Sequence, residues 1–134
     1  MSVVLDASTA LSAVLPDERS SSARAIVEAA AERGVIVPSL WACEIQNALV
    51  IAVRRGRCSE RTASEALEIL RSLADEVVEP RGLGTEYRLA ITHQLTAYDA
   101  VYLSVAITSG AALVTEDRRL RAAASAAGVD LFTP

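Results

Sequence analysis

Ala100-Val101-Tyr102-Leu103-Ser104-Val105-Ala106-Ile107-Thr108-Ser109-Gly110-Ala111-Ala112-Leu113-Val114-Thr115 is the stretch that decides the fold. It is the longest run of the chain without a charge, yet it is too short for a membrane span and is interrupted by Ser104, Thr108, Ser109 and Gly110. Ala100 to Ser109 is apolar nearly all round, which predicts a helix buried on every side. Gly110 stops it, and Ala111 to Thr115 then reads as a buried strand. A second apolar run, Ser2-Val3-Val4-Leu5, opens the chain and predicts another strand.

Working outward, strands and helices alternate. A short helix from Ser8 to Leu15 is broken by Pro16-Asp17-Glu18. A second, about Ser20 to Arg33, carries Ala23, Ile26, Val27 and Ala30 at helical spacing and ends at Gly34. The strand Val35-Ile36-Val37 closes on Pro38, and Ser39 is placed to cap a long helix to about Arg55, with Trp41, Ile45, Ala48, Leu49 and Ala52 on one face. After Gly56, Ser59 caps a helix striped by Ala63, Ala66, Leu67, Leu70 and Leu73. A weak strand, Glu76 to Glu79, and a short helix from about Gly84 to His93 lead to the buried helix, which Asp99 opens. A helix from Arg118 to Ala127 and a short strand near Leu131 complete the order. Such alternation means a parallel sheet covered on both faces, an α/β fold. With no linker or repeat, residues 1–134 read as a single domain.

Composition narrows the function. Apolar residues make up 51% of the chain, which excludes a disordered one, and Cys43 and Cys58 form neither a metal nor a disulfide spacing, as in a reduced, cytoplasmic protein. The start has no basic stretch and reads as a strand rather than a leader. All 13 basic residues are Arg, and the absence of Lys excludes a P-loop, a Schiff-base enzyme and a Ser-Lys hydrolase. The net charge is −4. Setting aside four of the 17 acids as candidate ligands leaves the rest balanced against the 13 Arg, so local clustering matters more than the total. Arg54, Arg55, Arg57 and Arg61 crowd one helix–helix corner, and Arg118, Arg119 and Arg121 follow Asp117 directly. Both clusters are candidates for phosphate contact; a solvated charged face is the other reading, weaker for the second cluster.

The four acids are Asp6, Glu44, Asp99 and Asp117. Each stands where a strand gives way to the next helix or close behind that point, on the edge where open parallel sheets bind ligands. Asp6 and Asp117 could simply cap the helices after them, with Thr115 as a rival cap for the last. Thr96-Ala97-Tyr98-Asp99 resembles a capping box. Glu44, at about 100° per residue, lies on the edge of an apolar face and needs a partner, for which helical spacing offers only Arg55. Metal coordination explains the four jointly: gathered carboxylates repel unless a cation joins them, and hard oxygen donors without His or Cys select Mg²⁺ or Mn²⁺. Competing motifs are weak. His93 is the only histidine, no Gly-x-Ser-x-Gly elbow exists, and Gly82-Leu83-Gly84 lacks the third glycine of a dinucleotide fingerprint. Trp41 and the tyrosines read as core rather than as base-stacking platforms.

Four segments then resemble the PIN-domain nucleases, most closely the VapC-type toxins of toxin–antitoxin pairs. They are Val4-Leu5-Asp6-Ala7-Ser8, Glu44-Ile45-Gln46-Asn47-Ala48-Leu49, Thr96-Ala97-Tyr98-Asp99-Ala100-Val101-Tyr102-Leu103-Ser104-Val105-Ala106, and Leu113-Val114-Thr115-Glu116-Asp117-Arg118-Arg119-Leu120. The third is the most specific. The resemblance implies a three-layer PIN-like fold with a mainly parallel sheet of four to five strands. It implies a Mg²⁺- or Mn²⁺-dependent endoribonuclease with Asp6, Glu44, Asp99 and Asp117 as catalytic metal ligands and Thr115 in support. It also implies inhibition by a small VapB-like antitoxin with a basic C-terminal segment. Glu116 beside Asp117 leaves open which acid faces the groove. The apolar helix faces, with Trp41 and the Leu67/Leu70 stripe, further suggest a homodimer. The alternatives are a housekeeping PIN-type nuclease, acting in RNA processing or on DNA flaps, and a scaffold whose acids only cap helices.

Overall fold

The computed structural model describes residues 1–17, 20–80 and 82–134; Glu18 of the expected break lies outside them. The elements run β1 (Val3–Leu5), α1 (Ala7–Val14), α2 (Ser21–Ala31), β2 (Val35–Pro38), α3 (Leu40–Arg54), α4 (Glu60–Arg71), β3 (Glu76–Val78), α5 (Thr85–His93), α6 (Ala97–Ser109), β4 (Ala112–Val114) and α7 (Arg118–Ala126). The four strands form one sheet in the order β3-β2-β1-β4, all pairs parallel, with Val3 opposite Val35 and Leu5 opposite Val114. The fold is the expected three-layer α/β architecture. Leu131 makes only an isolated parallel bridge to Leu113, so the expected last strand is reduced to one contact beside β4.

The order of the strands follows from their composition. β1, inside the sheet, and β4, at its end with the chain around Leu131 bonded to Leu113, are buried along their whole length; Val4, Leu5 and Leu113 are completely buried. Truncating Leu113 to Ala would cost about 2–5 kcal/mol. β3, with Glu76 and an exposed Val77, takes the edge. α6 is buried from Ala100 to Ala106 and packs on β1, β2 and β4, so its lack of a polar face is explained. Among the described residues no helix is long and apolar enough to cross a membrane.

Two helix starts differ from expectation. Ser39 lies in helical backbone (φ −57°) and caps nothing with its side chain; its hydroxyl instead donates to Glu79 Oε2 at 2.9 Å, tying α3 to the end of β3. α6 begins at Ala97, three residues before Ala100, and it follows α5 rather than a strand, so Asp99 does not stand at the strand-to-helix junction expected of all four acids. The Thr96 hydroxyl accepts the Asp99 N–H at 3.1 Å, which draws Ala97 to Asp99 into the first turn. At its other end Gly110 takes φ +62°, the left-handed conformation that closes the helix and returns the chain into β4.

Candidate functional site

The parallel register of β1 and β4 places their carboxyl ends side by side, and Asp6 N–H donates to Val114 O at 3.0 Å. Asp6 therefore faces Thr115 directly. Its Oδ2 accepts from the Thr115 hydroxyl at 2.9 Å and from the Ser8 hydroxyl at 2.8 Å, while Oδ1 accepts the Ser8 N–H at 3.3 Å. Asp6 thus caps α1, and the capping reading is true of it. A cap on solvent needs no further partners, yet this carboxylate is 6% exposed and held by two hydroxyls besides. Ser8 was not singled out from sequence; its position two residues after Asp6, in the turn that the cap closes, was the available signal.

Thr115 is a hub. Besides donating to Asp6, its hydroxyl accepts the Asp117 N–H at 3.0 Å, and its carbonyl accepts from Arg121 Nη1 at 2.9 Å. Asp117 caps α7 by accepting the Leu120 N–H at 2.9 Å. Of the adjacent acids, Asp117 is the one whose charge reaches Asp99. The Glu116 side chain is exposed, and its backbone N–H is tied to the Thr9 hydroxyl at 3.1 Å.

Glu44, one turn into α3, finds its partner in Tyr102 rather than in Arg55. The Tyr102 hydroxyl donates to Glu44 Oε1 at 2.6 Å, and the Ala7 N–H is directed at the same phenol oxygen. Sequence reasoning passed over this residue as core. The signal was its place three residues after Asp99, on the same face of α6. Burial and the Glu44 carboxylate together push the phenol well above its ordinary range, so it stays a donor.

The carboxylates feel one another. Burial raises the Glu44 carboxyl above the ordinary carboxylate range, and the charges of Asp6 and Asp99 add to that, with the Tyr102 hydrogen bond acting against it. Burial likewise raises Asp99, followed by the charges of Asp117 and Asp6, against a hydrogen bond from Thr96. Glu44 thus feels Asp6 and Asp99, and Asp99 feels Asp117 and Asp6. Among the described residues, no three His, Cys, Asp or Glu side chains are drawn close enough to hold a metal by themselves. Mg²⁺ needs only one or two carboxylates because it keeps several waters. The donor set, carboxylate and hydroxyl oxygen with no nitrogen or sulfur, fits such an ion.

The Arg clusters divide. Arg118 and Arg119 are exposed at the start of α7, next to Asp117. Arg121 is half-buried and its guanidinium is engaged by the Thr115 carbonyl, so it braces the site from behind. The other cluster lies at the far end of α3: ten residues separate Glu44 from Arg54, about 15 Å along the helix. There Arg57 pairs with Asp17 at 2.7 Å and Arg61 with Glu65 at 3.4 Å. The aromatic residues divide too. Trp41 and Tyr102 are buried as expected, but Tyr87 and Tyr98 are each 68% exposed, which corrects their reading as core. Two largely apolar cavities of about 290 and 500 Å³ flank α3 and α4, and Trp41, Leu67 and Leu70 line the first with Leu67 shared by both. Neither is lined by any of the four acids.

The PIN domain family profile matches residues 3–126. Ribonuclease VapC3 of Pyrobaculum aerophilum is 35% identical over 123 residues, covering 90% of this chain and 92% of that protein. The crystal structure of PAE2754, also from Pyrobaculum aerophilum, superposes with a TM-score of 0.72 at 30% identity, over 92% of this chain and 79% of that one. The crystal structure of VapBC2 from Rickettsia felis, bound to a DNA fragment from its promoter, gives 0.70 at 16% identity over 98% of each chain, a likeness of fold.

Proposed function

The chain belongs to the PIN-domain family, alongside the VapC ribonucleases, and from that premise we propose that it is a Mg²⁺-dependent endoribonuclease, the toxin of a toxin–antitoxin pair. The observation that carries the reading is the hydrogen-bonded frame at the edge formed by β1 and β4: the Thr115 hydroxyl donates to Asp6 and accepts the Asp117 N–H, and Tyr102, three residues after Asp99, donates to Glu44. Asp6 and Asp99 are the primary ligands for Mg²⁺ or Mn²⁺, with Glu44 and Asp117 acting directly or through waters. When bound, such an ion supplies the charge that polarises a scissile phosphodiester and lowers the pKa of an attacking water, giving 5′-phosphate and 3′-hydroxyl ends. The chain's own residues orient the carboxylates: Thr115 and Ser8 fix Asp6, and Tyr102 fixes Glu44. Arg118 and Arg119 grip flanking phosphates. No Lys or second His is required for this chemistry, and the chain has neither.

The partner in this reading is a small VapB-like protein whose basic C-terminal segment offers Arg or Lys to the carboxylates and silences them. The apolar surfaces along α3 and α4 suit a homodimer, and the protein works in the cytoplasm. Calorimetric titration with Mg²⁺ and Mn²⁺ tests the site: the wild-type chain should bind and Asp6→Asn should not, with unchanged helical content. Asp6 and Asp117 do cap helices, so a silent wild-type titration would favour the scaffold reading. Expression of the chain alone should arrest growth of its host, and co-expression of the adjacent small reading frame should restore it. Harmless expression of a metal-binding protein would favour the housekeeping nuclease.

A further inference from the structure

Tyr98 is an aromatic ring that the fold leaves in water beside the acids. It is 68% exposed in the first turn of α6, while Tyr102, four residues on, is 1% exposed and bonded to Glu44. Residues four apart on a helix lie one above the other on a single face, and side chains lean toward the N-terminus. Tyr98 therefore stands one turn nearer the start of α6 than Tyr102, on the same face, and its neighbour in sequence is Asp99. Tyr87 is equally exposed but belongs to α5, on a helix that contributes none of the four acids. Asp117, whose N–H is held by the same Thr115 hydroxyl that donates to Asp6, leads into the exposed Arg118 and Arg119. Exposed cations directly after Asp117 and an exposed ring directly before Asp99 match the two halves of a nucleotide: the phosphate, and the base one sugar away from it.

Resting on the nuclease reading, we propose that Tyr98 is a base-stacking platform that receives an unpaired nucleobase next to the scissile phosphate, and so selects single-stranded RNA. Stacking on an aromatic ring tolerates any base because every base has a π face, which suits a chain with no visible base-reading motif. Bases within a duplex are already stacked and cannot be presented this way; loops and single strands can. Tyr98 is a binding residue in this account and takes no part in bond breaking.

The test uses a short unstructured RNA carrying a fluorescent label, with the full chain as wild type, Tyr98→Ala and Tyr98→Phe. Cleavage at saturating Mg²⁺ should show KM raised about tenfold in Tyr98→Ala with little change in kcat, and near wild-type values in Tyr98→Phe. An abasic substitution beside the cut should weaken the wild type and leave Tyr98→Ala unaffected. Anisotropy with Ca²⁺ in place of Mg²⁺ reads binding without turnover. If the wild type binds RNA about tenfold better than Tyr98→Ala but never cuts it, stacking stands and the hydrolytic reading falls. An unchanged KM and affinity in Tyr98→Ala overturns the proposal, and so does an equal loss in Tyr98→Phe. So does a loss that tracks a shift in sedimentation, which would make Tyr98 a contact between two copies.

Discussion

The Tyr102 hydroxyl donates to Glu44 Oε1 at 2.6 Å, joining α6 to α3 across the end of the sheet. Without it, a half-buried glutamate on the edge of an apolar helix face would have no donor to hold it. Tyr102→Phe keeps the ring and its packing but removes that donor. Because the bond acts against the upward shift of Glu44, its loss should raise that carboxyl further and weaken Mg²⁺ binding about tenfold, with stability lowered by about 1–2 kcal/mol. Calorimetry and thermal melts check both; an unchanged metal affinity would show that Glu44 is oriented by something else.

Asp99 gives a prediction with the opposite sign for stability. Its carboxyl is raised by burial and by the charges of Asp117 and Asp6. A carboxyl whose pKa rises on folding costs stability while ionised, and the cost is relieved as pH falls through the raised value. In the metal-free protein, Asp99→Asn should therefore raise Tm at neutral pH, and only slightly, because a half-exposed carboxylate is screened by solvent. The gain should shrink on acidification through that value. A gain independent of pH would count against the electrostatic cause.

Thr115 should be sensitive to the loss of one oxygen. Thr115→Val leaves the Asp117 N–H without its acceptor and Asp6 without one of its donors, in a nearly closed environment. We expect a cost of about 1–3 kcal/mol in chemical denaturation, together with weaker Mg²⁺ binding. Thr115→Ser, which keeps the hydroxyl, should recover most of both.

Salt dependence separates the two Arg clusters. Replacing Arg118 and Arg119 with Ala should reduce RNA affinity and flatten its dependence on log salt by about 0.7 per lost single-strand contact. Replacing Arg61, which stands beyond the far end of α3 and pairs with Glu65, should change the slope less. Equal effects would mean that RNA runs the length of α3.

The fold was legible because it rests on strong local signals. An uncharged helix followed by an uncharged strand has few packing solutions; Asp6 and Asp117 follow β1 and β4 closely, Glu44 lies one turn into the helix after β2, and Asp99 comes instead from a helix that follows another helix. What could not be read were side-chain choices made across the fold. Tyr102 and Tyr98 sit four residues apart in one motif, yet one is buried against Glu44 and the other is exposed, a difference fixed by which turn of α6 lies under the sheet edge. Arg121 looked like its neighbours Arg118 and Arg119 until the backbone of Thr115 captured it. Ser39 had the residue type of a cap but was drawn to Glu79, forty positions away.

The initial rate of cleavage of a short unstructured RNA, measured against Mg²⁺ concentration for the wild type and for Asp99→Asn, tests the central claim most directly. The four-carboxylate account predicts a saturable rise with Mg²⁺ in the wild type, no cleavage in excess EDTA, and none in Asp99→Asn, which the melts above should show to be folded. Undiminished cleavage in EDTA, or by Asp99→Asn, would contradict it.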